Sequence, residues 1–214
     1  MIKNLEDILG NNFCPGQDLP AIDIAGIETN SAKINRGDIF VAVVGNKVDG
    51  HDFIKDAIEA GASAIVSCEE YTGKISVPLI RVYNPRRAVS ALAAELYGNP
   101  SKDLTIIGIT GTNGKTTTAA LISSVLKQAG HKIAQIGTLG LISDAINHFD
   151  TLTTPDAITL QRTFSNLLKS DVTHVVMEVS SHALDQERVA NVDFDIAVFT
   201  NLTPEHLDYH KTLD

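Results

Sequence analysis

The segment Gly111-Thr112-Asn113-Gly114-Lys115-Thr116-Thr117 constrains this chain more than any other. It follows an apolar run at residues 104–109 that reads as a strand, and it precedes residues 116–129, whose helical spacing closes at Gly130. A strand that turns through glycines into a helix leaves backbone N–H groups at the helix N-terminus, where they can curl around phosphate oxygens. In such a nucleoside triphosphate cradle, Lys115 brings a point charge to the β- and γ-phosphates and Thr116 a hydroxyl to Mg²⁺. The spacing departs from G-x-x-x-x-G-K-[ST], because the first glycine of that pattern would fall at Ile109, so Gly111 has to supply the tight turn. A chemically idle glycine turn is the weaker reading, since it gives no role to the lysine or to the threonines that follow it. A dinucleotide fingerprint fits less well: Gly108, Gly111 and Gly114 are spaced G-x-x-G-x-x-G, and no acidic residue closes the next strand. ATP is the expected ligand.

Beyond this loop the pattern alternates: strand 133–136, helix 157–168, strand 174–179, a short helix at 183–189 and strand 195–200. Such alternation is that of a parallel sheet with crossover helices. A further helix begins at Pro204 and the pattern stops at Asp214, so this second domain is expected to be incomplete. Upstream, the turn-forming cluster Tyr97-Gly98-Asn99-Pro100-Ser101 marks a domain boundary, giving domains 1–99 and 100–214. The first reads as a small α/β module. It has a buried strand at 38–44, a helix at 53–60 with Phe53, Ala57, Ile58 and Ala60 inward and Gly61 as its stop, and strands at 64–66 and 79–82. A helix at 86–97 follows, carrying Val89, Leu92, Ala93 and Leu96 on one face. The fold class is therefore α/β, a small module followed by an incomplete P-loop-type parallel-sheet ATPase domain.

Charge excludes some partners. With 26 acidic against 17 basic residues in 214, the formal net charge is −9, which argues against nonspecific binding to nucleic acid or an anionic membrane. An anionic ligand must then be held by a local site. The apolar run at 39–44 is far short of the ~20 residues that span a bilayer, and the first ten residues carry Glu6 and Asp7 instead of a basic leader, so a cytoplasmic location is expected. Cys14 and Cys68 have no C-x-x-C spacing or histidine pairs nearby, so neither a disulfide framework nor a zinc site is indicated.

Three further groups carry chemistry. Glu178 ends the strand His174-Val175-Val176-Met177-Glu178, placing a carboxylate at the carboxyl edge of the sheet, where ligands of open α/β folds bind. Beside a phosphate loop it reads as a second Mg²⁺ anchor, not a solvated strand-end acid. Ser180-Ser181-His182 is a poor nucleophile–base pair, because adjacent positions give poor geometry for proton transfer; hydroxyls that cap the next helix or hold a ligand are the better reading. His206 and His210 stand four apart, but without H-E-x-x-H or a further ligand set, one histidine near Mg²⁺ and one in ordinary contacts is the simpler account.

Taken together, Thr110 through Thr118, Thr153-Thr154-Pro155, Met177-Glu178-Val179-Ser180-Ser181-His182, and Phe199-Thr200-Asn201-Leu202 with His206-Leu207-Asp208-Tyr209-His210 resemble the muramyl ligases. Within that family the resemblance is to the branch that adds the third amino acid of the peptidoglycan stem peptide. It implies that the first module holds the uridine diphosphate end of the substrate, with Thr29, Ser31, Asn46, Lys47 and Val48 at the matching positions. The family commonly has Asp-Ser-Arg where this chain has Asn30-Ser31-Ala32, so an anion-binding arginine and its aspartate partner are absent from that motif. In the second domain Thr153, Thr154, Ser180, Gln186 and Arg188 match positions that hold the muramoyl and phosphate parts. Thr116, Glu178 and His206 match the Mg²⁺ neighbourhood, and Lys115, Glu178 and His206 are the implied catalytic set. Glu205 stands where aspartate is usual.

The implied reaction transfers the γ-phosphoryl group of ATP to the terminal carboxylate of UDP-N-acetylmuramoyl-dipeptide, after which the amine of an amino acid displaces phosphate. The implied partners are these small molecules, with no nucleic acid or membrane. A carbamylated lysine and an amino-acid-selecting domain lie beyond the segment matching residue 214 in the family. The alternative expectation is therefore a nucleotide-binding fragment without turnover of its own.

Overall fold

The computed structural model describes residues 5–18, 22, 24–45, 48–68, 70–144 and 152–212. The chain divides into two compact units, Met1–Gly98 and Asn99–Asp214.

In the first unit, helix α1 (Leu5–Leu9) precedes β1 (Ile27–Glu28), β2 (Ile39–Val41), α2 (Ile54–Ala60), β3 (Ala64–Cys68), β4 (Leu79–Val82) and α3 (Pro85–Leu96). The four strands pair in chain order, all parallel. A parallel sheet is covered on both faces, so its inner strand reads as an unbroken apolar run; Ile39, Phe40 and Val41 are all fully buried. Side chains alternate across a strand. Phe40 packs with Ile54 and Ala57 of α2 and with Ile65, leaving Ile39 and Val41 to the face where α3 crosses β1, β2 and β3. Asn84 starts α3 by accepting hydrogen bonds from the N–H groups of Arg86 and Arg87, with Pro85 at the first helical position. Gly61 ends α2 in the left-handed conformation, φ +108°.

Two expectations for this unit need correction. The strand expected at 38–44 covers only Ile39–Val41, because the chain turns back and Val44 makes a single bridge to Asp49. On the inward face expected for α2, Phe53 belongs to a 3₁₀ turn, Gly50–Phe53, and is 36% exposed, its inward position being taken by Ile54, and Ala60, at the last position of the helix, is exposed as well.

The second unit contains β5 (Thr105–Thr110), α4 (Lys115–Gln128), β6 (Ile133–Gly137), β7 (Gly140–Ser143), α5 (Ala157–Lys169), β8 (His174–Glu178), α6 (Ser181–Asp185), β9 (Ile196–Phe199) and α7 (Leu207–His210). The strand order is β7-β6-β8-β5-β9, parallel except for the β6–β7 hairpin, an element the alternating pattern did not foresee. Ile106, Val175 and Met177 face Leu160, Phe164 and Leu167 of α5. Their neighbours Ile107, Ile109 and Val176 face Ala119 with Ile122 and Leu126 of α4. Burying a side chain such as Phe164 or Leu160 contributes ~1.5–3 kcal/mol, and both are fully buried.

The short helix expected at 183–189 is Ser181–Asp185, because Glu187 takes a positive φ of 56° that a helix cannot continue through. The helix expected from Pro204 likewise begins only at Leu207, after His206 at φ 55°. Among the described residues no helix is long and apolar enough to cross a membrane.

Candidate nucleotide-binding site

Because β5 lies between β8 and β9, the loop leaving it is flanked by Glu178 on one side and by residues 200–203 on the other. Its two glycines serve different ends. Gly111 has φ +130°, and a Cβ there would run into Thr200 Oγ1 and the backbone of Asn201. Gly114 meets nothing, but at φ +88° it makes the left-handed entry to α4. No side chain caps that helix, so its first N–H groups face the loop. Lys115 folds across the loop, Nζ donating to the carbonyls of Gly111 at 2.6 Å and Thr112 at 3.0 Å. Thr116 and Thr117 form the first turn of α4, with Thr117 exposed.

Glu178 is 1% exposed, so it is no solvated strand-end acid. Its carboxylate accepts hydrogen bonds from Thr116 Oγ1 (2.9 Å), Thr138 N (3.1 Å) and Thr138 Oγ1 (3.2 Å). Gly137 makes the room, since a Cβ there would collide with the carboxylate. Thr138, in the unforeseen β6–β7 turn, was missed in the sequence; its hydroxyl lies 3.3 Å from that of Thr153. A hydroxyl and a carboxylate beside a phosphate loop are hard oxygen donors of the kind Mg²⁺ takes. No cluster of three or more His, Cys, Asp or Glu side chains among the described residues could hold a metal by itself. A cation here would complete its shell with phosphate oxygens and water, as Mg²⁺ usually does.

Next to Glu178, four of the residues expected to hold the muramoyl end, Thr154, Ser180, Gln186 and Arg188, form one network. Thr154 Oγ1 donates to the Glu178 carbonyl (3.0 Å) and accepts from Ser180 N (3.0 Å), while Ser180 Oγ accepts from Ala183 N and caps α6. Arg188 donates to the Thr154 carbonyl at 2.8 Å and, through Nε and Nη2, to Gln186 Oε1. Gln186 Nε2 in turn donates to Tyr209 OH.

A cleft of about 480 Å³ opens over the loop, lined by Gly111, Lys115, Ser181, His206 and His210 among others. His206 packs its ring edge-on against His182, with centroids 4.7 Å apart, and His210 Nε2 lies 2.9 Å from Ser181 Oγ. Burial holds the His182 imidazole below its usual pKa, aided by repulsion from His206, His210 and Arg188 and opposed by Asp208. Thr116 and Glu178 are thus joined directly, whereas His206 lines the cleft together with Lys115.

In the first unit, Thr29 is exposed just beyond β1, and Asn30 caps the 3₁₀ turn Ser31–Lys33 by accepting from Ala32 N. Val48 is 54% exposed; Asn46 and Lys47 lie outside the described residues. Beside Val48, Asp49 Oδ1 accepts from His51 N (2.9 Å) and His51 Nδ1 (2.5 Å), which holds its carboxyl below the usual range. The other ring nitrogen, Nε2, is 2.8 Å from Ser67 Oγ, and the ring stacks on Tyr71. Sequence reasoning gave His51 no role, because two of its partners, Ser67 and Tyr71, lie 16 and 20 residues on, in β3 and just beyond it.

Two family models match. Residues 109–214 match the Mur ligase middle domain, and residues 23–97 match the Mur ligase family, catalytic domain. The chain belongs to the Mur ligase family. Mur ligases are ATP-dependent. Among relatives, a UDP-N-acetylmuramoyl-L-alanyl-D-glutamate–2,6-diaminopimelate ligase of Bacillus cereus is 48% identical over 193 residues, covering 90% of this chain and 39% of the relative. The ligase of the same name in Listeria monocytogenes serotype 4b is 44% identical over 200 residues, 93% and 40% respectively. The chain thus spans about two fifths of the length of these relatives. A solved structure of a 2,6-diaminopimelate ligase superposes with a TM-score of 0.78 at 29% identity, covering all of this chain and 43% of that one. The MurF ligase of Thermotoga maritima, solved in complex with ADP, superposes with a TM-score of 0.55 at 27% identity over 87% of this chain and 40% of that one.

Proposed function

We propose that this chain supplies the uridine-nucleotide-binding and ATP-binding parts of a ligase that adds the third amino acid to UDP-N-acetylmuramoyl-dipeptide in the cytoplasm. The observation that carries the reading is the buried Glu178 carboxylate bonded to Thr116 at the head of the 111–117 loop. Preorganised donors in a water-poor site are worth more to a developing charge than the same groups in water.

In this reading the N–H groups at the start of α4 hold the phosphates of ATP, and Lys115 leaves the loop carbonyls to offset charge on the γ-phosphoryl group. Thr116 and Glu178 would hold Mg²⁺, with His206 assigned to the same neighbourhood by the family resemblance; when bound, the cation would neutralise phosphate charge. Thr153, Thr154, Ser180, Gln186 and Arg188 orient the muramoyl end, so that the terminal carboxylate meets the γ-phosphoryl group. Attack of that carboxylate on phosphorus gives an acyl phosphate and ADP, and the amine of the incoming amino acid then displaces phosphate. Thr29, Ser31 and Val48 receive the uridine end at the carboxyl edge of the first sheet, the edge where open parallel sheets take ligands; Asn46 and Lys47 are assigned the same role by the family resemblance alone.

Calorimetry with Mg²⁺ and a non-hydrolysable ATP analogue tests the loop: Lys115→Ala is expected to weaken binding by ~1.5–3 kcal/mol, the scale of a hydrogen bond to a charged group. Equal affinity for both proteins would overturn the assignment. For the first unit, adding UDP-N-acetylmuramoyl-dipeptide to the labelled chain should move NMR signals near Ser31 and Val48; changes confined to the second unit would count against that role.

A further inference from the structure

The phosphate loop is shaped by residues outside it. Thr112 N donates to the Asn201 carbonyl at 3.0 Å, Asn113 N to Asn201 Oδ1 at 3.0 Å, and Asn201 Nδ2 back to the Asn113 carbonyl at 3.0 Å. The Asn201 amide therefore pairs with the Asn113 backbone as a neighbouring strand would, one residue beyond the ladder bond from Thr200 N to the Thr110 carbonyl. Thr200 Oγ1 fills the second lone pair of the Asn113 carbonyl at 2.7 Å. Thr112 Oγ1 donates to the Thr203 carbonyl at 3.1 Å and accepts from Thr203 N at 2.9 Å. Gly111 belongs to the same arrangement, because Thr200 and Asn201 occupy the space a Cβ would need.

Two consequences follow. The N–H groups of Thr112 and Asn113 point at Asn201 and not into the site, which leaves phosphate binding to the N–H groups at the start of α4. The segment holding the loop also runs on, within a few residues, into His206 and His210 on the cleft wall. We propose that Thr200, Asn201 and Thr203 are positioning residues, a latch that fixes the phosphate-accepting shape of the loop and couples its occupancy to the placement of His206 and His210. This rests on reading the loop as a nucleotide site. Thr112 and Asn113 then serve as the loop's half of the latch, and a change in loop shape on binding is passed directly to the histidine-bearing segment.

The test is calorimetry of Mg·ADP with the 214-residue chain, comparing wild type with Thr200→Val, Thr200→Ser, Asn201→Ala and Lys115→Ala, alongside imidazole NMR signals of His206 and His210. Asn201→Ala is expected to weaken ADP about tenfold and Thr200→Val about threefold to tenfold, while Thr200→Ser, which keeps the hydroxyl, stays within about twofold of wild type. ADP should shift both histidine signals in wild type and Thr200→Ser, and shift them much less in Asn201→Ala at saturation. If Asn201→Ala does not fold, as judged by thermal melting, the near-isosteric valine and serine pair at 200 decides. Wild-type affinity in the Thr200→Val and Asn201→Ala proteins, with Lys115→Ala weakened, overturns the latch and leaves the nucleotide site standing. Histidine signals that ignore ADP overturn the coupling. Failure of the wild type to bind ADP, or full binding by Lys115→Ala, overturns the nucleotide reading itself.

Discussion

Each unit sets a carboxylate near the carboxyl edge of a parallel sheet, and the two are held in opposite ways. Glu178 is 1% exposed and its hydrogen bonds come from α4 and the β6–β7 turn, 62 and 40 residues away in sequence. The Asp49 side chain is 47% exposed and both of its bonds come from His51, two residues on. One carboxylate is fixed by tertiary structure, the other by a local turn. Damage at the first should therefore cost fold and binding together, whereas damage at the second should leave the fold nearly intact.

The largest effect is expected from Glu178→Ala, which empties the buried space the carboxylate fills and removes the shared acceptor of Thr116 Oγ1, Thr138 N and Thr138 Oγ1. A loss of ~2–4 kcal/mol in the second unit's stability by urea unfolding is expected, and a loss well under 1 kcal/mol would remove the contrast with Asp49. Gly137→Ala should cost ~1–3 kcal/mol by forcing a methyl against the same carboxylate. In the double variant the two costs should fall short of their sum, because removing the carboxylate removes the collision; strict additivity would show that Gly137 matters for another reason.

In the first unit, His51→Ala should cost ~0.5–1.5 kcal/mol, the net worth of an ordinary hydrogen bond, with the second unit's transition unmoved. The smallest effect concerns His174. Burial, then repulsion from His131, holds its pKa below the usual imidazole value, against the pull of Asp195. A depressed pKa adds stability that is present above the unfolded value, ~6.5, and is lost as pH falls through the folded value. NMR titration should therefore give a His174 midpoint below that of an unfolded control, and His131→Ala should raise it; a midpoint at or above the control would contradict this.

What the sequence made legible was local. The strand, glycine turn, lysine and threonines of the phosphate loop are contiguous, and β2, β3, β5 and β8 announce themselves as apolar runs because parallel strands are covered on both faces. Thr138 escaped notice, and Asn201 was quoted only within a family motif and given no role, because their partners are 40 and 88 residues away, and a lone threonine or asparagine carries no sign of such pairing. The two-residue β1 is too short to show a period, and the β6–β7 hairpin breaks an otherwise parallel alternation. Thr153, Thr154, Gln186 and Arg188 entered through family resemblance alone; three of them, Thr154, Gln186 and Arg188, form one hydrogen-bonded network around the strand that carries Glu178.

The most direct test of the phosphate-loop reading is a crystal structure of the chain grown with Mg·ADP. The diphosphate is expected against the N–H groups that open α4, with Lys115 Nζ turned from the Gly111 and Thr112 carbonyls toward it. A cation is expected ~2.0–2.1 Å from Thr116 Oγ1, with Glu178 reached directly or through water. ADP bound away from residues 111–117, or bound there with Lys115 still on its own loop, would contradict that reading.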